Sequence, residues 1–273
     1  MESTFVSADD GIRLHLLSNE HDGPALVFVH GWCSNANHFA PQLKHFSDSF
    51  HVVAIDRRGH GQSDQPIDGY NTDRHARDLL SVLDDEEIAS AVFVGHAGGC
   101  PSVLEFAARH PERCRALVLL DTRISRFADL SGADRESPLA QMIDSISDDD
   151  TFVRIYQGFV SERNPKLRST LVNDALRVPR WIAQQDLASI AVDTVALAAS
   201  VRCPVLWLSV DEPDTEMLTK VFDDIRFQQC PESGHFVQLE AADLVNEAIG
   251  DFLSRLSDHL TRDRETPGPD IQR

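Results

Sequence analysis

The sequence predicts an α/β fold: a doubly wound, mostly parallel sheet interrupted by an inserted helical cap. Three observations carry this. Short, continuously apolar runs recur at 25–29, 51–55, 91–94, 116–120 and 204–209, the pattern of strands that helices bury on both faces. Apolar residues at helical spacing, such as Ala76, Leu79, Leu80 and Leu83, lie between such runs, so strand and helix alternate. The strand rhythm lapses over 123–203, where helix-like segments follow one another, and it resumes at 204. The expected domains are therefore a core of 1–122 and 204–258, a cap of 123–203, and a flexible tail of 259–273.

Each element has its own local reason. Residues 4–18 alternate weakly around Asp10-Gly11, a hairpin turn signal. The run Ala25–Val29 ends in the loop His30-Gly31-Trp32-Cys33, and the run His51–Ile55 ends at Asp56-Arg57-Arg58-Gly59-His60-Gly61-Gln62-Ser63. A helix is expected over 71–86. Val92-Phe93-Val94 then leads into Gly95-His96-Ala97-Gly98-Gly99, a glycine-rich sharp turn, and into a helix through Val103–Arg109. The strand 116–120 closes on Asp121-Thr122. Within the cap, Val178-Pro179 marks a helix break. A short strand at 225–229 precedes Ser233-Gly234-His235-Phe236, and 241–256 carries the pattern of a closing amphipathic helix.

Composition narrows the function classes. The formal net charge is −19, which argues against nucleic acid or an anionic membrane as partner. Acidic runs such as Asp148-Asp149-Asp150 read as solvated faces rather than a metal site. Five dispersed cysteines without a CxxC pattern indicate free thiols in a reducing compartment. There is no basic-then-apolar leader and no apolar run of ~18 residues. A cytoplasmic protein is the expectation, with oligomeric state left open.

The chemistry centres on the turn at 95–99. It has the frame of a nucleophile elbow, Gly-x-Ser-x-Gly, but the nucleophile position holds Ala97. His235 follows a strand late in the core, where a base is expected, and imidazole titrates close to neutrality. The acid that orients it is Asp121, or else Asp211 or Asp214 on the loop after 209. His30, Asp56, Ala97, Asp121 and the 211–214 acids all follow strand ends, so they are expected to face one crevice beneath the cap. The backbone amides of Trp32 and Gly98 are expected to form an oxyanion hole. Trp32, His96 and Trp181 are candidate substrate contacts; His38 and His96 also have a purely structural reading. Ser34, Ser102 and Cys100 are poor replacements for the missing nucleophile. Ser34 has no expected base, Ser102 points into helix packing, and Cys100 faces the core.

Taken in order, His30-Gly31, Arg58-Gly59-His60-Gly61-Gln62-Ser63, the elbow and the late Gly234-His235 resemble the α/β-hydrolase fold over roughly 5–256. Within it, Gly31-Trp32-Cys33, Asp121, Asp211-Glu212-Pro213-Asp214 and His235-Phe236 resemble the cofactor-independent 3-hydroxy-4-oxoquinoline 2,4-dioxygenases. Their elbow reads Ser-His-Gly-Gly where this chain has Ala97-Gly98-Gly99. The resemblance implies a small aromatic substrate, a 3-hydroxy-4(1H)-quinolone such as the 2-heptyl quorum-sensing signal, and dioxygen. It further implies that the residue matching His235 deprotonates the 3-hydroxyl and that carbon monoxide is released, with no cofactor and no metal. Degradation of such signals would follow. Two competing expectations remain: an ester, amide or lactone hydrolase carrying a Ser-to-Ala change at 97, and a non-catalytic small-molecule receptor.

Overall fold

A computed structural model describes residues 1–125, 138–190 and 192–265. Among these the sheet has eight strands in the order β1-β2-β4-β3-β5-β6-β7-β8. They are β1 (Glu2–Ser7), β2 (Arg13–Ser18), β3 (Ala25–Val29), β4 (His51–Ile55), β5 (Ala91–His96), β6 (Cys114–Leu120), β7 (Val205–Ser209) and β8 (Ile225–Gln229). The first hairpin pairs antiparallel and joins β4 antiparallel; every pairing from β4 to β8 is parallel.

Side-chain alternation divides the core into two layers. Val27, Val29 and Phe93 point to one face, beneath α2 (Thr72–Asp85) and α3 (Cys100–Arg109). Leu26, Phe28, Val92 and Val94 point to the other, beneath α1 (Ala40–Phe46). Each central strand is buried on both faces, which is why it reads as an unbroken apolar run. Chain order reverses at β3, whose neighbours are β4 and β5. The crevice at their carboxyl ends is the place where such sheets bind ligands.

The region between β6 and β7 holds α4 (Pro138–Ser145), α5 (Asp149–Gly158), α6 (Pro165–Ala175), α7 (Arg180–Ser189) and α8 (Thr194–Ala198). The helix break falls at Val178-Pro179, between α6 and α7. Phe152, Tyr156, Leu171 and Ile182 form a third apolar cluster with Trp32 and Phe236 of the core. After β7 come α9 (Thr215–Val221), α10 (Val237–Glu240) and α11 (Ala242–Glu265). The last helix runs beyond the expected end at 256 and beyond the core boundary at 258. Residues 266–273 of the expected tail lie outside the described residues. Among the described residues, no helix is long and apolar enough to cross a membrane.

Candidate active site

The carboxyl ends of β5 and β6 set the centre of the site. At the end of β5 the chain turns through Ala97 with φ +47°, and at the end of β6 through Asp121 with φ +41°. Left-handed backbone is costly for any residue with a Cβ, so both turns are held by their surroundings. The Thr122 hydroxyl donates to the Ala97 carbonyl at 3.3 Å, and the Asp121 amide donates to the Leu208 carbonyl at 2.7 Å.

Asp121 and His235 meet. His235 Nδ1–H donates to Asp121 Oδ2 at 2.6 Å, and the Val210 amide donates to the other carboxylate oxygen at 3.0 Å. Burial works to raise the Asp121 carboxyl, but the bonds from His235 and Val210 outweigh it and hold the group below its ordinary range. The acid thus stays ionised and fixes the tautomer that leaves His235 Nε2 free to accept a proton. The backbone of His235 is held from the cap, its amide donating to the Phe159 carbonyl at 2.8 Å. The Phe159 ring lies 5.1 Å from the imidazole, between centroids.

The 211–214 acids stand elsewhere. Asp211 and Glu212 are exposed, and Asp214 caps α9 by accepting from the Met217 amide at 2.9 Å. Asp56 and His30 are taken up by structural bonds, although Asp56 also borders a cavity beneath the cap. Buried Asp56 accepts from the Ala36 and Gln62 amides at 2.7 and 2.9 Å and pairs with His15 at 2.8 Å. It pins the loop after β3 to the end of β4. His30 donates from Nδ1 to the Gly31 carbonyl and accepts at Nε2 from the Arg57 amide. Burial pushes its basicity far down, so it is a neutral structural bridge.

The backbone around the elbow is tightly set. A Cβ built on Gly98 would lie 3.3 Å from the Trp32 nitrogen, and one on Gly31 would lie 3.1 Å from the Ala97 Cβ. The Trp32 amide, Gly98 and the alanine methyl therefore border one small space, which glycine at 98 keeps open. His96 supports it from the side. Its Nε2–H donates to the His235 carbonyl at 2.9 Å, and burial lowers its pKa to about 3. His96 is therefore a neutral ring that positions the His235 backbone.

Of the two candidate tryptophans, one is tied to the cap and the other lies at the surface. Trp32 packs in the cap cluster against Phe152, at 5.4 Å, and its Nε1–H donates to the Ala183 carbonyl at 2.8 Å. Trp181 sits at the surface against Tyr70, 6.0 Å between centroids, with 41% of it exposed. Neither alternative nucleophile next to the elbow is usable there. Cys100 is fully buried with its thiol pushed up to about 12 by burial, and Ser102 is fully buried within α3.

Two polar constellations join core to cap. Arg57 makes two bonds to Asp186 of α7, at 2.7 and 3.2 Å, with His75 at 3.4 Å and His60 at 3.5 Å from the same carboxylate. The other joins Ser34 and His38 to Asp174 of α6. His38 thus stands within hydrogen-bond reach of Ser34, where no imidazole was expected. The spacing of four residues between Ser34 and His38 was a visible signal; the acid, 136 residues on from His38, was not.

Comparison with known proteins places the chain in a family. The family model for the alpha/beta hydrolase fold matches residues 24–177. Among curated relatives, a 2-(acetamidomethylene)succinate hydrolase of Mesorhizobium japonicum is 36% identical over 99 residues, 36% of this chain and 36% of that protein. A bifunctional esterase/perhydrolase of Acinetobacter calcoaceticus is 36% identical over 109 residues, 39% of this chain and 40% of the relative. The matched part thus spans well under half the length of these relatives. Among solved structures, an enol-lactonase from Burkholderia xenovorans superimposes with a TM-score of 0.76 at 21% identity, covering 92% of this chain and 100% of the other.

These names overturn the expected quinolone dioxygenase, and with it oxidoreductase chemistry and quinolone-signal degradation: the curated relatives are named a hydrolase and an esterase/perhydrolase. The physical reason is that the residues behind that resemblance occupy scaffold positions. Gly31-Trp32-Cys33 forms the loop facing the elbow, the Trp32 side chain anchors the cap, Asp121 directly follows β6, and His235 lies in the loop after β8. Such features come with the fold rather than with one reaction. With the family model spanning more than half of its length, the chain belongs to the alpha/beta hydrolase fold family.

Proposed function

We propose that the Asp121–His235 site is a carbonyl-hydrolysing site of the ester, lactone or amide class whose covalent nucleophile is absent at position 97. The observation that carries this is the 2.6 Å bond between His235 and an ionised Asp121, set beside the space bordered by the Trp32 amide and Gly98. In this reading the two backbone amides receive the carbonyl oxygen as it gains charge, and the low-dielectric surroundings strengthen those bonds. His235 Nε2 takes the proton of the attacking hydroxyl and returns it to the leaving group, while Asp121 stabilises the imidazolium.

With a methyl at 97 no acyl-enzyme forms at the elbow. The step left to the dyad is attack by water, deprotonated by His235, on a carbonyl held by the amides. Such partial machinery retains acceleration of about 10³–10⁴-fold over the uncatalysed reaction. Ala97→Ser tests the reading. The hydroxyl introduced at 97 is expected to react with a serine-directed phosphonate, with the adduct mapped to the elbow peptide by mass spectrometry. A folded variant that takes no label there refutes it.

A further inference from the structure

A nucleophile array lies apart from the elbow. Cys33, at φ +48°, turns the chain sharply after Trp32, and the Tyr156 hydroxyl of the cap donates to its carbonyl at 3.0 Å. Asn35 then caps the helical turn Ala36–Phe39, accepting from the Asn37 amide at 3.0 Å. This places Ser34 and His38 one turn apart on the same side. The Ser34 hydroxyl bonds to His38 Nδ1, and His38 Nε2–H donates to Asp174 Oδ2 at 3.1 Å. Ser34 and His38 are 2% and 4% exposed, so the bonds are shielded from competing water. The bond from His38 outweighs the burial that works to raise the Asp174 carboxyl and holds it below its ordinary range, with Asn35 and Arg177 adding to the effect.

Serine, imidazole and carboxylate thus stand in series, with the two imidazole nitrogens exchanged relative to the dyad at His235. The order of proton movement is unaffected: Nδ1 is the lone-pair nitrogen facing the hydroxyl, and Nε2 carries the proton facing the acid. No residue is shared with the Asp121–His235 pair. The Phe236 ring stands between the two, edge-on to His38 at 5.8 Å and within 5.2 Å of His96.

The array also has somewhere to work. Ser34 and Asp174 line a cavity of about 220 Å³ together with Asn35, Asn37, Gln62 and Arg177. The lining carries four carboxamides, two carboxylates (Asp56 and Asp174) and one guanidinium, which suits a small ligand with several hydroxyl groups rather than an alkyl chain. A structural tie between loop and cap would need the hydrogen bonds but not a cavity opening on the serine.

We propose that Ser34, activated by His38 and Asp174, is an acyl-accepting nucleophile separate from the elbow, directed at O-acyl esters of small polyols. In the first half-reaction Ser34 Oγ bonds to the acyl carbon and its proton passes to His38 Nδ1. The bond from that carbon to the alcohol oxygen breaks, and the alcohol leaves with the proton from His38. Water then attacks the acyl-serine with its proton moving to His38, and the acid is released as Ser34 is regenerated. Atoms and charges balance without any co-reactant.

The test uses the full-length native chain and diisopropyl fluorophosphate, a small reagent that loses fluoride when a serine oxygen bonds to its phosphorus. The expected result is an adduct mapped by peptide mass spectrometry to Ser34, formed at least about tenfold more slowly in His38→Gln and in Asp174→Asn. Ser34→Ala, verified as folded by circular dichroism, is expected to lose the label and most of the acetate release from glycerol triacetate. Absence of an adduct at Ser34 in the native chain overturns the proposal. So does labelling at Ser34 whose rate is the same in both folded variants. Because the elbow reading is tested at position 97 in another variant, the two ideas can fail separately.

Discussion

Ala97 occupies a backbone conformation that its side chain does not favour. At φ +47° an L-residue is disfavoured by about 1–2 kcal/mol relative to ordinary helical backbone, and glycine escapes most of that. Ala97→Gly is therefore expected to raise stability by about 0.5–1 kcal/mol, read as a higher urea midpoint at unchanged slope. A lower midpoint would mean that the methyl contributes more by contact than it costs in strain. That the turn keeps its strained geometry without a nucleophile directs attention to the backbone donors it presents. At this scale the sequence was readable where chemistry sits next to a strand end: Asp121 and His235 each follow one closely. Ser34 was discounted for want of a base, although His38 stood four residues away. The pairing depends on the loop folding into a helical turn behind a strained Cys33, which no local pattern announces.

Among the elements, the cap is held to the core by buried polar bonds as well as by its apolar cluster. Arg57 and Asp186 are both almost fully buried, and burial of the carboxylate is more than offset by Arg57 and the neighbouring histidines, which hold it far below its ordinary range. Removing one partner leaves an uncompensated buried charge. Asp186→Ala is expected to destabilise by about 3–5 kcal/mol and to speed proteolytic cleavage within α7. The pair Arg57→Met with Asp186→Leu is expected to recover most of the loss, since packed apolar side chains replace such pairs well. If both proteins unfold at the same urea concentration, the ion pair is not what the cap depends on. The helices of the cap were legible as a break in strand rhythm, whereas this clamp was not. Its partners are 129 residues apart, and an Arg-Arg-Gly-His run looks equally suited to exposure or to burial.

For the molecule as a whole, the same buried histidines set its acid tolerance. Burial lowers His75 and His96 to about 3, against an unfolded value of about 6.5. Above that value neither state binds the extra proton, and the stability contributed by their neutral burial is fully present. As pH falls from about 6.5 towards 3, the unfolded chain takes up protons that the native state refuses, so stability falls by up to about 1.4 kcal/mol per pH unit for each site. The depressed Asp121 carboxyl acts in the same direction at lower pH. Urea melts from about pH 7 to pH 4.5 are expected to show a steady loss, shallower in His96→Gln. A flat profile would contradict the neutral burial of these rings. The mostly parallel sheet with helices packed on it was foreseeable, because short apolar strands alternate with helical spacing, whereas the strand order was not. The reaction class was not foreseeable, because the fold supplies the same loop, elbow, acid and base to many reactions.

The claim on which the rest depends is that the Asp121–His235 pair and the elbow backbone form a hydrolytic site lacking only a nucleophile. The direct measurement is p-nitrophenyl acetate turnover by Ala97→Ser, compared with the native chain and with Ala97→Ser combined with His235→Ala. A gain in kcat of at least about 10²-fold is expected on introducing the hydroxyl, abolished when His235 is removed. No gain in a folded Ala97→Ser protein, or a gain that survives the loss of His235, would contradict the claim.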